Sequence, residues 1–233
     1  MTKIPLALLP GTLCSPILWE DQIAALHDIA DVRVIDTSQH DTIGALAQHI
    51  HTVMPARFAV AGLSYGGIVA FEVWRQKPNA ISHLGLLNTT PFPVSTEKRA
   101  AQEALAEMAL AGNFTKVADK QVQMVMLPEQ YRQNYRLQSR VTRMADEIGV
   151  EGFINQIKAQ VKRVDSRPIL SDIRCPTLVL TGDQDQLCPP ALHEEMAAKI
   201  PDSTLHILSA CGHLSTMDQP AKVSAAMQAW LLS

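Results

Sequence analysis

Short apolar runs recur in the first and last parts of the chain, and amphipathic stretches separate them. The runs at 4–9, 32–36, 58–63, 83–88, 177–181 and 204–208 are rich in Leu, Val and Ile. Several are apolar throughout instead of alternating, which predicts parallel strands covered on both faces. Between them, apolar positions at helical spacing predict helices over about 16–27, 42–54, 65–76, 189–199 and 220–232. Pro16 and Pro189 suit a first helical turn, where the missing N–H costs little. Strands alternating with helices predict an α/β architecture with a doubly wound, mainly parallel sheet of about six strands.

The rhythm breaks between residues 91 and 167. This segment has helical patterning, punctuated by Gly112, Pro128 and Gly149, and no convincing strand. It predicts about four helices inserted as a cap over the carboxyl end of a sheet core formed by 1–90 and 168–233. A purely structural helical subdomain is the plainer reading of the same pattern.

Bulk properties remove several function classes. With 233 residues, 47% of them hydrophobic and 18% charged, the chain has enough apolar content for one folded core and is not disordered. A net charge of −3 gives no reason to expect nucleic acid or an anionic membrane as partner. No apolar stretch is long enough to span a bilayer, and the N-terminal run is too short for a signal peptide. Cys14, Cys175, Cys188 and Cys211 form no C-x-x-C pair, so a reduced, cytoplasmic protein is expected. Oligomeric state has no signature in the sequence.

The strongest chemical signal is Gly62-Leu63-Ser64-Tyr65-Gly66-Gly67, where the 58–63 strand gives way to a helix. A nucleophile on such a turn has a strained backbone, and small residues two places before and after it relieve the crowding. The turn aims the serine oxygen clear of the sheet and puts the Tyr65 N–H at a helix N-terminus, where it can stabilise an oxyanion. Without chemistry, the same string would be a glycine-rich tight turn. A serine hydroxyl needs a base and an orienting acid. The sequence offers Asp183 and Asp185 just past the 177–181 strand, and His213 past the 204–208 strand. A lone histidine would be weak evidence; three complementary groups at three strand ends are not.

These motifs resemble the alpha/beta hydrolase superfamily, in the esterase, enol-lactonase and C–C hydrolase branch with a small helical cap. The resemblance covers essentially the whole chain. It maps a G-x-x-D acid motif onto Gly182 and Asp185, leaving Asp183 to shape the turn, and a C/G-G-H motif onto Cys211-Gly212-His213. It implies a second oxyanion donor after the first strand, in Pro10-Gly11-Thr12-Leu13, with the Thr12 N–H preferred over that of Leu13. Pro10 replaces the family's usual histidine. Two N-terminal antiparallel strands of the family are missing from this reading, and Thr37-Ser38-Gln39-His40 lacks a glycine-rich pattern common in relatives. The resemblance implies a serine hydrolase using Ser64, His213 and Asp185 on a carboxylic ester of a small, partly apolar molecule, with no cofactor and no metal. Lactone, thioester or C–C bond hydrolysis, or an elimination of the menaquinone-pathway type, would use the same triad. A receptor retaining the pocket is a further alternative.

Other residues carry weaker signals. Met124, Tyr131, Leu13 and Asn88, the last with Thr89 and Thr90, are expected to line a substrate pocket. Met108, Met126, Met144, Phe114, Tyr135 and Phe153 are expected mostly to pack the inserted helices. Arg132, Arg136 and Arg140 share a helical face. That face is a candidate for steering a carboxylate, a phosphopantetheine, an acyl carrier or a CoA thioester, although a solvated basic face is the favoured reading. His49 and His51 are expected to face solvent, and His27, His40, His193 and His206 to lie at the surface. Cys14 is expected to line or pack the pocket.

Overall fold

The structure, a computed structural model, describes residues 2–125 and 133–233. Six strands form one sheet: β1 Ile4–Leu9, β2 Ala30–Val34, β3 Phe58–Leu63, β4 Ile81–Leu87, β5 Thr177–Gly182 and β6 Ser203–Leu208. Their order is β2-β1-β3-β4-β5-β6 and every pairing is parallel. Both faces are buried, as the unbroken apolar runs predict. Leu6, Leu8, Ala59 and Ala61 point into one core layer, while Ala7, Leu9, Phe58 and Val60 point into the other.

Helices cover the two faces. On one side lie α1 (Glu20–Leu26), α8 (Ser215–Asp218) and α9 (Pro220–Leu231), through Leu26, Met217, Val223 and Met227. On the other lie α2 (Ile43–Val53), α3 (Tyr65–Gln76) and α7 (Pro190–Lys199), through Leu46, Ile50, Val69, Phe71 and Met196. Between β4 and β5 run α4 (Thr96–Met108), α5 (Phe114–Val125) and α6 (Tyr135–Val161). Gly112 (φ 83°) interrupts the first two, and Gly149 (φ 65°) breaks α6 into two halves. These helices have their own apolar cluster around Phe153, Ile154, Ile157 and Val117, joined by Leu13 from the loop after β1.

Local chemistry moves some predicted boundaries. The predicted 32–36 strand is β2, ending at Val34, because the Asp36 carboxylate accepts the Ser38 N–H and hydroxyl (2.9 and 2.6 Å) and turns the chain. The 83–88 strand is β4, ending at Leu87, because Asn88 takes φ 46°. The 16–27 helix opens as a 3-10 turn, Pro16–Trp19, before α1. The chain runs outward from β1 to β2, then returns past β1 to β3. This switch point opens a crevice at the carboxyl ends of β1 and β3, where such sheets bind ligands.

Candidate active site

The side chains singled out for chemistry converge on that sheet edge. Ser64 follows β3 with φ 57° and ψ −116°, a conformation that L-residues rarely adopt. Two glycines make the turn geometrically possible. A Cβ on Gly62 would overlap the Gly66 carbonyl, and one on Gly66 would overlap the carbonyl oxygen of Leu9 in β1. Helix α3 therefore starts hard against the sheet. The Thr89 hydroxyl, donating to the Ser64 carbonyl at 2.7 Å, fastens the turn from the side.

His213 and Asp185 form a buried pair. Nδ1 of His213 lies 3.0 and 2.9 Å from the two Asp185 carboxylate oxygens. Burial works to raise the Asp185 pKa. The His213 charge and hydrogen bond, with N–H donors from Cys188 and Asn88, outweigh burial and hold the carboxyl below its usual range. Its oxygens also accept from Leu187 N–H and Cys188 N–H, both at 2.9 Å, and from the Asn88 amide at 2.9 Å. An ionised, satisfied carboxylate at Nδ1 makes that nitrogen the protonated one and leaves Nε2 as a base. Asp183 is exposed and accepts the Cys211 N–H at 3.2 Å, tying the β5 loop to the β6 loop.

Ser64 and His213 line one cavity of about 260 Å³. Gly11, Thr12 and Cys14 close one side, and Leu105, Met124 and Ile157 from the inserted helices roof it. Tyr65 is the first residue of α3, so its N–H has no acceptor within the helix. The loop after β1 is clamped by α6. Gln156, fully buried, accepts the Leu13 N–H at 3.0 Å and donates to the Thr37 hydroxyl at 3.2 Å, while the Gln160 amide donates to the Thr12 hydroxyl at 2.9 Å. With the Leu13 N–H given to Gln156 and the Cys14 N–H to the Gly11 carbonyl, the Gly11 and Thr12 N–H groups are those on this loop that no hydrogen bond engages among the described residues. Pro10 needs no histidine to settle it: its carbonyl accepts from the Thr37 hydroxyl at 3.3 Å.

Residues 9–226 match the model of the Alpha/beta hydrolase family. The chain belongs to the alpha/beta hydrolase family. Among its relatives is an (E)-2-((N-methylformamido)methylene)succinate hydrolase of Acinetobacter baylyi, 24% identical, aligned over 97% of this chain and 90% of the relative. A pimeloyl-[acyl-carrier protein] methyl ester esterase of Aromatoleum aromaticum is 25% identical, over 94% of this chain and 95% of its own. In three dimensions the chain is similar to a malate-bound thermophilic esterase from Thermogutta terrifontis (TM-score 0.89, 27% identity, 99% and 90% coverage).

Within this alpha/beta hydrolase several expectations need correction. Asn88 does not line the cavity. It is fully buried behind Asp185, donating to that carboxylate and to the Gly212 carbonyl (3.2 Å) and accepting from the Ser215 hydroxyl (2.5 Å). Of the Asn88-Thr89-Thr90 stretch only Thr90 reaches the cavity. Leu13 packs into the inserted helices' core instead of facing substrate, because φ 56° turns its side chain upward to Phe153 and Ile154. Met124 does line the cavity; Tyr131, Met126, Pro128 and Arg132 lie outside the described residues. Arg140 is not the solvated cation expected: it pairs with Glu20 (3.2 Å) and Asp21 (3.4 Å) and donates to the Ile17 carbonyl, pinning α6 to α1. His51 is half-buried and bonds the Val73 carbonyl at 2.9 Å.

His193 is the largest correction among the histidines. It is wholly buried, not at the surface, and its Nε2 accepts the Thr89 N–H at 3.0 Å. That acceptance keeps Nε2 unprotonated. Burial, against the Pro189 carbonyl, pushes its pKa down to about 4. Below pH about 6.5 the unfolded chain takes up a proton that the native state refuses, so stability falls on acidification from about 6.5 to 4. The loss expected from this group is about 3 kcal/mol, at 1.36 kcal/mol per pKa unit. Asp218, buried near His213 and pushed up to about 7, works in the opposite direction between about pH 4 and 7. Comparing wild type with His193→Gln cancels that contribution. Urea unfolding should show the stability difference shifting towards the variant by about 2–3 kcal/mol between pH 7 and 4.5; parallel pH profiles would refute the assignment.

Cys14 is a buried wall residue whose thiol burial pushes up to about 12, so it is neutral. Asp185, Cys188 and His213 have ligand atoms close enough for a metal. Burial raises the Cys188 thiol, and Asp185 and His213 are already paired with each other, which is a poor donor set. No described helix is long and apolar enough to cross a membrane.

Proposed function

We propose that this hydrolase is a serine esterase cleaving a carboxylic ester of a small, partly apolar molecule. The observation that carries the reading is the buried Asp185–His213 pair opening on the same cavity as the strained Ser64. His213 Nε2 takes the proton as Ser64 Oγ bonds to the carbonyl carbon. Asp185 orients the imidazole and stabilises its charged form, and the N–H groups of Tyr65 and Thr12 receive the oxyanion. The proton then passes to the leaving alkoxide as the C–O bond breaks. Water, deprotonated by His213, adds to the acyl-enzyme and releases acid and free serine. Side chains and water suffice for each step.

Residues 91–167 act as the cap. Their helices roof the cavity, and Gln156 and Gln160 fix the Thr12 loop, so they are proposed to shape both the acyl pocket and the oxyanion site. The free thiols suit a reducing, cytoplasmic setting. A fluorophosphonate probe should label wild type at Ser64, and p-nitrophenyl esters should give a burst of nitrophenol followed by slower turnover. Lack of labelling, with saturable binding of the same esters, would instead favour a receptor. Lactones and thioesters present the same carbonyl, and a matched panel ranks them against esters.

A further inference from the structure

The cavity beside Ser64 carries two cations. Lys98 of α4 and Arg163, just past α6, both line it, and among the described residues no aspartate or glutamate does. Lys98 is exposed and stands at the rim, whereas Arg163 is half-buried. Arg163 Nε donates to the Phe92 carbonyl at 3.0 Å, and the residue also borders a second cavity that includes Glu72 and Arg75. Neither residue makes an ion pair among the described residues. Arg75, which borders a second cavity together with Arg163, is paired with Glu72, and Arg167 is paired with Asp165, whereas Arg99 and Lys162 likewise make no ion pair among the described residues. A cation held in a partly desolvated wall with no counter-charge makes a field that favours an anion.

The remaining lining is uncharged apart from any proton on His213: apolar Val94, Leu105, Ile157 and Leu214 alternate with the neutral amides of Gln102, Gln121 and Gln160. At about 260 Å³ the space suits a short chain, lying just below the roughly 300–1,000 Å³ of pockets for drug-sized ligands. The geometry points to a carboxylate subsite at Lys98 and Arg163, so that the substrate is an ester of a short acid bearing a second, free carboxylate. This rests on the ester-hydrolase reading. It adds the charge of the acyl group and the residues that read it. A planar guanidinium matches a carboxylate in two hydrogen bonds, and the ammonium at the rim adds attraction during entry.

The test compares kcat/KM for mono-p-nitrophenyl glutarate with that for p-nitrophenyl butyrate. The ratio, in which any general loss of fold or nucleophile cancels, should favour the anionic ester by at least about tenfold in wild type. Lys98→Met and Arg163→Gln should each lower it about tenfold, and Lys98→Glu should lower it further. Lys98 is exposed on α4, so its variants test the subsite even if Arg163→Gln loosens the Phe92 contact. Ester turnover without the preference, a preference unmoved by these substitutions, or a preference for butyryl-CoA over the glutarate ester overturns the carboxylate subsite and leaves hydrolysis standing. If no ester is turned over, calorimetric titration of Ser64→Ala with monomethyl glutarate decides separately. Binding that is lost on adding Lys98→Met and Arg163→Gln supports the subsite while ester hydrolysis falls; no binding overturns both.

Discussion

Ser64→Ala is expected to lower kcat/KM for activated esters by about 10⁴- to 10⁶-fold, a loss of up to about 8 kcal/mol of transition-state stabilisation. Removing the Oγ removes the acyl-enzyme route and leaves only what the N–H groups and the cavity do for direct attack by water. The companion effect is on stability. Ser64 sits at φ 57°, ψ −116°, which costs an L-residue on the order of 1–3 kcal/mol, and alanine retains that strain. Ser64→Gly should therefore melt at or above Ser64→Ala, although glycine ordinarily destabilises by about 0.5–1 kcal/mol. Thermal melts of the two inactive variants test this pairwise. An alanine variant that is the more stable by the ordinary margin, or one that keeps burst kinetics, counts against the turn as the reactive element.

Gly66→Ala, like a methyl at Gly62 or Gly182, should be among the most damaging substitutions in the molecule. Its Cβ would overlap the Leu9 carbonyl, and Leu9 is buried in β1 and paired to Gly62 of β3. Neither backbone can retreat without breaking the ladder, so α3 would have to lift, carrying Ser64 and the Tyr65 N–H with it. A loss above about 4 kcal/mol, or no soluble protein, is expected. Gly44→Ala is the matched control: in α2 its Cβ would meet only the Gln76 amide, at 3.9 Å. There the same substitution should stabilise by about 0.5–1 kcal/mol, through helix propensity. Urea midpoints of the two variants should move in opposite directions. A mild, equal effect in both would mean the elbow is not packed as described.

The features legible in the sequence share one property: each is a local pattern that fixes local geometry. Unbroken apolar runs such as 58–63 marked strands buried on both faces, because a parallel sheet covered by helices leaves no polar face. The glycines around Ser64 marked a turn pressed against the sheet. The positions of Ser64, Asp185 and His213 just past β3, β5 and β6 placed all three at one edge, since every strand of a parallel sheet ends on the same side. Misplaced boundaries arose where side chains compete with the ladder, as Asp36 does in its turn.

The residues misread were those whose role depends on partners far away in the chain. Asn88 meets Asp185 and Ser215, His193 meets Thr89, and Arg140 meets Glu20 and Asp21. Nothing near them in sequence distinguishes a buried polar residue with such a partner from an exposed one. Gln156 and Gln160, spaced i, i+4 on an otherwise apolar face, were the one available clue to the clamp on the Thr12 loop. By itself, then, the sequence determined the doubly wound sheet, the strained turn at Ser64 and the edge on which Ser64, Asp185 and His213 lie, because strand polarity and steric room are properties of the local chain. Only the tertiary structure decided which groups hold the Asp185 carboxylate, which N–H groups stay open and which cations line the cavity. Those depend on how distant segments share buried space, where each polar group must find its partner across the fold.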